Sequence, residues 1–308
     1  MNDPAGVEIV ANGLRLAGHL RVPPAGRAPY PALVFTGPFT GVKEQVVGEY
    51  GRRLSEAGFV TLVFDHRNFG ASEGHVRQHE DPAGKLADLR AATSVLAAHD
   101  AVDASRIGCV GICLGGGYAL KYSAFDPRIR ALALVAAAFN DPKEMRRGMG
   151  DDAYRATMAG FAEVAQRQDL GGPIEYLPAV TDVAGAEAAM PGAEPWEYYG
   201  TERSASPGWR NRVTRLSIRE LLTFDAAIGA DFIAPTPTLI VHGRRDDFCP
   251  PADAQRVYDQ ISGPKELMWL DTTNHIDLYD VASYVDPAVE RVAGWMDEFL
   301  AGPPRPAG

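Results

Sequence analysis

A mainly parallel, doubly wound α/β sheet carrying a helical insertion is the fold class the sequence predicts, and three observations predict it. Short apolar runs rich in β-formers recur at residues 32–35, 60–64, 107–110, 131–135, 239–241 and 267–270, with amphipathic stretches between most of them. Such βαβ alternation builds a parallel sheet with helices on both faces. The alternation stops between the fourth and fifth runs, where residues 140–234 read as helices broken by Gly171-Gly172-Pro173, Pro191-Gly192 and Pro207-Gly208. Ahead of the first run, Val7 and Ile9 alternate on one side of Asn12-Gly13 and Leu14, Leu16, Leu20 and Val22 on the other, a hairpin pattern with its turn at the Asn-Gly pair.

The helices follow from caps and spacing. One is expected over 44–57, stopped by Gly58; a second over 82–98, opened by Asp81 as N-cap; a third over 115–125; and a last beginning at Pro287 and running to residue 300. The chain therefore divides into a core at 1–139 and 235–300, a helical lid at 140–234, and a flexible tail at 301–308 dominated by Pro and Gly. The lid is rich in aromatic and Met residues. Trp196, Trp209 and Phe224 among them are expected to contact substrate, although an insertion also needs such residues for a core of its own.

Composition narrows the function. At 308 residues, 46% hydrophobic and 23% charged, the chain is of ordinary globular type, which excludes disorder, collagen and coiled coil. A formal net charge of −10 without a dense Lys/Arg run argues against nucleic acid as a partner. No apolar run reaches the ~18 residues of a bilayer span, and residues 1–10 lack a signal peptide's basic and apolar regions, so a cytoplasmic location and no membrane partner are expected. Cys109, Cys113 and Cys249 form no disulfide framework, and none is spaced with another Cys or His as a zinc ligand pair. Neither G-x-G-x-x-G after the first strand nor a Walker sequence is present, so no metal or organic cofactor is expected.

The sharpest motif is Gly111-Ile112-Cys113-Leu114-Gly115, directly after the run at 107–110 and directly before a helical stretch. Small residues two positions either side of a central residue permit a sharp strand-turn-helix elbow, where backbones crowd and the centre is strained. This is G-x-C-x-G in place of G-x-S-x-G. Such a turn would set the Cys113 sulfur at a helix N-terminus, whose partial positive charge favours thiolate; the alternative is a Gly-rich turn around a small buried thiol. Asp246 and Asp247 then fall in the loop after 239–241, and His275 in the loop after 267–270, at strand ends where open α/β sheets place their sites.

The order nucleophile, acid, histidine is that of the α/β-hydrolase triad, and from 7 to 300 the sequence resembles that superfamily. Asp65-His66-Arg67-Asn68-Phe69-Gly70-Ala71-Ser72-Glu73-Gly74 is similar to its D-x-R-G-x-G-x-S-x-G loop, and residues 275–279 to its histidine loop. The Cys elbow followed by Leu114-Gly115-Gly116 resembles that of dienelactone hydrolases, whereas the long lid is closer to bacterial acyl hydrolases and polyketide-releasing transferases. The resemblance implies Cys113 as nucleophile, His275 as general base and then acid, and Asp246 as the residue orienting the imidazole. Asp247 is the rival, but the acid belongs three residues after the Gly of the His-Gly pair and four before the Pro, and Gly243 and Pro250 fit Asp246. The implied oxyanion donors are the Leu114 amide and, because Pro38 has no N–H, the Phe39 amide, with its register open by one residue. Cys249, three residues after Asp246, is within reach of the site, but packing is the expectation for it and for Cys109; the histidines His19, His66, His75, His79, His99 and His242 are expected to pack or to face solvent.

An ester, lactone or thioester hydrolase working through a covalent thioester on Cys113 is the implied activity, its partner a small acyl substrate, free or carrier-bound. The alternatives are an acyltransferase using a non-water acceptor and a catalytically silent binder of the same fold.

Overall fold

In the computed structural model, which describes residues 3–301, Asn12 and Gly13 both take positive φ, 52° and 82°. That geometry matches the right-handed twist of the strands they join, β1 (Ala5–Ala11) and β2 (Leu14–Arg21), which pair antiparallel. β3 (Tyr30–Thr36), β4 (Val60–Phe64), β5 (Val102–Ile112) and β6 (Ile129–Val135) follow. Within the insertion β7 (Tyr176–Leu177) and β8 (Val213–Thr214) form a separate antiparallel ribbon, and β9 (Thr238–Gly243) and β10 (Lys265–Leu270) complete the main sheet. Its eight strands run in the order β1-β2-β4-β3-β5-β6-β9-β10, parallel from β4 onward. All residues of β4 and β9 are buried, as continuous apolar runs require when both faces are covered.

The helices around the core are α1 (Val46–Glu56), α2 (Pro82–Ala97) and α3 (Leu114–Phe125). The Asp81 carboxylate accepts the Gly84 N–H at 2.9 Å, as its N-cap position requires. The insertion between β6 and β9 holds α4 (Pro142–Met149), α5 (Asp151–Asp169), α6 (Ala193–Tyr199), α7 (Arg215–Thr223) and α8 (Gly229–Phe232). Then come α9 (Pro251–Gln260), α10 (Asp277–Asp280) and α11 (Ala282–Leu300).

Two expectations need correction. α11 starts at Ala282, so Pro287 sits inside it and removes one helical hydrogen bond. Burial of Val285, Ala288, Val292, Trp295, Met296 and Leu300 along one face offsets that loss. The ribbon β7–β8 was not expected either, since two-residue strands carry no alternation. Of the tail expected at 301–308, all but Ala301 lies outside the described residues.

Candidate active site

Crowding fixes the elbow between β5 and α3. A Cβ on Gly111 would lie 2.6 Å from the Gly115 carbonyl oxygen and from Ala119 Cβ, and one on Gly115 would lie 2.3 Å from the Thr36 carbonyl oxygen. Only glycine allows this approach. Cys113 between them has φ 54° and ψ −126°. Its N–H donates to the Val135 carbonyl at 3.0 Å and its carbonyl accepts from Gly116 and Ala138 at 2.8 and 2.9 Å, so backbone bonds on both sides hold the strained conformation. Leu114 opens α3, where a helix leaves its first N–H groups without internal partners.

The loop after β3, with Phe39, is anchored from beneath by residues 65–74. Asp65 accepts from the Lys43 N–H, the Lys43 ammonium and the Ala71 N–H at 2.8, 2.9 and 2.9 Å. His66 Nε2 pairs with Thr36 Oγ1 at 2.9 Å, and Asp88 accepts from the Arg67 backbone and guanidinium. His66 is thus buried among structural partners, and His242 is buried with its Nδ1 3.0 Å from the Gly243 carbonyl oxygen.

Beyond β9, Asp246 folds its own loop. One carboxylate oxygen accepts the Phe248 and Cys249 N–H groups at 3.0 and 2.7 Å, and the other lies 2.6 Å from His275 Nδ1. Asp247 is exposed. Beyond β10, the Asp277 carboxylate accepts from the Thr273 N–H at 2.7 Å and from its hydroxyl, and Asn274 accepts the Asp277 N–H, which closes the turn that presents His275. The lid joins this turn: Glu194, at the start of α6, accepts the His275 and Ile276 N–H groups at 2.7 and 3.0 Å. His275 Nε2 shares a 2.9 Å hydrogen bond with the Tyr279 hydroxyl.

These loops bring the Cys113 sulfur, the Cys249 sulfur and a His275 ring nitrogen within 4.8 Å of one another. Cys249, expected to be a packing thiol, therefore lies in the site. A hydrogen bond from Cys249 pulls the Cys113 thiol well below its ordinary value; burial opposes this, and His275 and Tyr279 reinforce it. Cys249 moves the opposite way, held protonated by the same bond and by burial. Burial alone would lower the His275 value, but the neighbouring Cys113 charge and the Asp246 bond outweigh it and raise it to about 10. The direction for the pair is thiolate beside imidazolium.

The three side chains open into a cavity of about 290 Å³ that Phe39 and Leu114 also line. The lid supplies its apolar wall, through Met145, Met190, Pro195, Tyr199, Ile218, Leu221 and Leu222. Trp196, Trp209 and Phe224, expected to contact substrate, are not among the residues that line this cavity. Trp196 packs against Gly200, Trp209 stacks on Tyr199 with rings 5.7 Å apart, and Phe224 packs on Tyr118. Of the three, Trp209 backs a wall residue, Tyr199. Of the further residues here, Tyr199 stood among the lid aromatics, Cys249 three residues after Asp246 and Tyr279 at the end of the histidine loop, whereas Glu194 was not singled out by sequence.

Residues 39–281 match the family model described as serine aminopeptidase S33, of the Hydrolase_4 type. The chain belongs to this α/β-hydrolase family. A crystal structure of a hypothetical protein from Pseudomonas aeruginosa superposes with TM-score 0.84 at 29% identity, covering 96% of this chain and 93% of that one. The thiohydrolase aneE of Aspergillus aculeatus is 27% identical over 301 residues, 96% of this chain and 92% of its own. The polyketide transferase grgF of a Penicillium species is 27% identical over 275 residues, 86% and 87% of the two chains. This α/β hydrolase is an enzyme, a hydrolase or acyltransferase, and among its described residues no helix is long and apolar enough to cross a membrane.

Proposed function

We propose that this α/β hydrolase cleaves a small ester, lactone or thioester through a Cys113–His275–Asp246 triad. The observation that carries the reading is the cysteine at positive φ at the head of α3, its sulfur within 4.8 Å of a ring nitrogen of His275, whose Nδ1 lies 2.6 Å from the buried Asp246 carboxylate. In this mechanism the Cys113 thiolate attacks the acyl carbonyl and the Leu114 and Phe39 amides receive the oxyanion. The His275 imidazolium gives its proton to the leaving group as the thioester forms. Neutral His275 then takes a proton from the acceptor as the thioester is resolved, and Asp246 holds the tautomer throughout.

The acyl group occupies the lid-walled cavity, whose apolar lining suits a hydrocarbon chain or ring. A second reading is transfer to a non-water acceptor. The same lining favours it, because an apolar wall offers little to order a hydrolytic water, while a thioester yields readily to amines and thiols.

The test is intact-protein mass spectrometry with a panel of acyl thioesters and aryl esters. Wild type is expected to gain one acyl mass, located on Cys113, and to lose it in water. Cys113→Ser is expected to bind but to lose most turnover, because the hydroxyl has a much higher pKa and the shorter C–O bond leaves it displaced from the oxyanion donors. Added amines or thiols that speed loss of the adduct would select transfer. A Cys113→Ser variant as fast as wild type would remove the thiolate from the mechanism.

A further inference from the structure

We propose that Cys113, Cys249 and His275 form a binding site for a thiophilic divalent cation, zinc above all, whose occupation excludes acylation of Cys113. The three donors come from three different loops, after β5, β9 and β10, which is why no spacing along the chain announces them. They nevertheless converge within 4.8 Å. Tetrahedral zinc, with Zn–S near 2.3 Å and Zn–N near 2.0–2.1 Å, needs its donors about 3.5–3.8 Å apart, so side-chain shifts of about 1 Å or less complete the set. Two thiolates and an imidazole are the soft donors that select zinc over magnesium or calcium.

The surroundings fit as well. Asp246 engages His275 Nδ1 at 2.6 Å, the carboxylate–histidine arrangement that aims the other nitrogen at a metal and strengthens it as a ligand. The remaining hydrogen bond, from Nε2 to the Tyr279 hydroxyl, is the one the metal replaces. Zinc with two thiolates and a neutral imidazole carries no net charge, which a buried, largely apolar cavity tolerates better than a free ion. Binding sends the protons on the Cys249 sulfur and on Nε2 to solvent. The cavity provides the path of entry and leaves a fourth position for water. Metal binding needs only these three side chains; its exclusion of acylation also rests on Cys113 being the nucleophile.

The test uses the full chain, kept reduced by a non-thiol reductant, with zinc and cobalt(II) as probes. We expect one metal per chain, and with cobalt the intense visible bands of a tetrahedral site together with thiolate-to-cobalt charge transfer. Cys113→Ser and Cys249→Ser should each weaken zinc binding by roughly a hundredfold or more and remove charge-transfer intensity, with folding checked by circular dichroism and Cys249→Ala as a second variant. Zinc should block iodoacetamide labelling of Cys113 in wild type, and a chelator should restore it. Absence of stoichiometric binding, or affinity unchanged in both cysteine variants, overturns the site. Zinc binding in a protein that no substrate acylates would leave the site standing and remove the catalytic reading. Acylation that proceeds with zinc bound would overturn the exclusion.

Discussion

The C-terminal edge of the sheet and the insertion above it are built by opposite rules. At the sheet edge each functional side chain stands in a short loop directly after a strand, and each loop is closed by its own polar bonds. Asp246 accepts two amides of its own loop, Asp277 closes the histidine turn, and Gly111 and Gly115 fit the elbow too tightly for any side chain. In the insertion, α4 buries no residue and the nineteen residues of α5 bury only Val164. Of the cavity's apolar wall α4 supplies Met145 and α5 nothing; the rest of the insertion's share comes from residues 189–222, where α6 buries Pro195, Tyr198 and Tyr199. The lesson is a division of labour: in the proposed mechanism the reacting side chains are held by loops at strand ends, while selection falls to apolar side chains of the insertion.

The hardest test of that division strikes the sheet edge. Cys113→Ala and His275→Ala should each lower kcat by about 10⁴-fold or more while circular dichroism shows the fold intact. Asp246→Asn should cost about 10⁴-fold, because it removes the acceptor that sets the His275 tautomer, whereas exposed Asp247→Asn should stay within about twofold. Equal behaviour of the two aspartates would break the assignment.

The two regions also differ in how far sequence reveals them. The elbow is legible because its constraint is local: small residues two positions either side of Cys113, between an apolar run and a helix. The hairpin at Asn12-Gly13 is legible for the same reason, since its turn type is written within a few positions, whereas the choice of Asp246 over Asp247 rests on the spacing that the family resemblance implies. Contacts between lid and core are not. Glu194 reaches the His275 amide across 81 residues, and nothing near either position signals it. Cys249 looked like packing because its relation to Cys113 exists only once β5 and β9 have placed their loops side by side. Within the lid, Trp196, Trp209 and Phe224 drew attention by size, but large rings also stabilise an insertion by packing on their neighbours, as Trp209 does on Tyr199 and Phe224 on Tyr118. The unbranched and branched side chains of Met190 and Leu222 face the cavity instead.

A smaller effect sharpens the comparison from the lid side. Met190→Ala and Leu222→Ala remove apolar surface from the wall without touching Cys113, His275 or Asp246. At about 0.8 kcal/mol per methylene, each should shift the ratio of kcat/KM between long and short acyl chains by roughly tenfold. The rate of Cys113 alkylation by iodoacetamide should hardly change. Phe224→Ala should act differently, losing stability by about 3–5 kcal/mol through the cavity left beside Tyr118. Equal loss of selectivity and of thiol reactivity in the Met190 and Leu222 variants would mean that the lid only supports the fold.

The smallest effect lies in the pH dependence of stability, and its shape tests the ion pair at the sheet edge. His275 is raised from an ordinary 6.5 to about 10, so its contribution is complete below pH 6.5 and is lost as pH rises through about 10. Cys113 is lowered from an ordinary 9.0, so its contribution is complete above pH 9 and is lost as pH falls through its depressed value. Between about 6.5 and 9 one contribution falls while the other grows: the folded pair holds one proton, on the imidazole, and the unfolded pair also holds one, on the thiol. Their sum is therefore flat there, declining below 6.5 and above 9. Measuring unfolding free energy for wild type and for Cys113→Ala across pH 5–11, and subtracting, cancels the titration of distant groups. A plateau with shoulders on both sides is the expected difference curve. A single slope across the plateau would mean that thiol and imidazole do not titrate as a pair, and the thiolate would then have to be generated only when substrate binds.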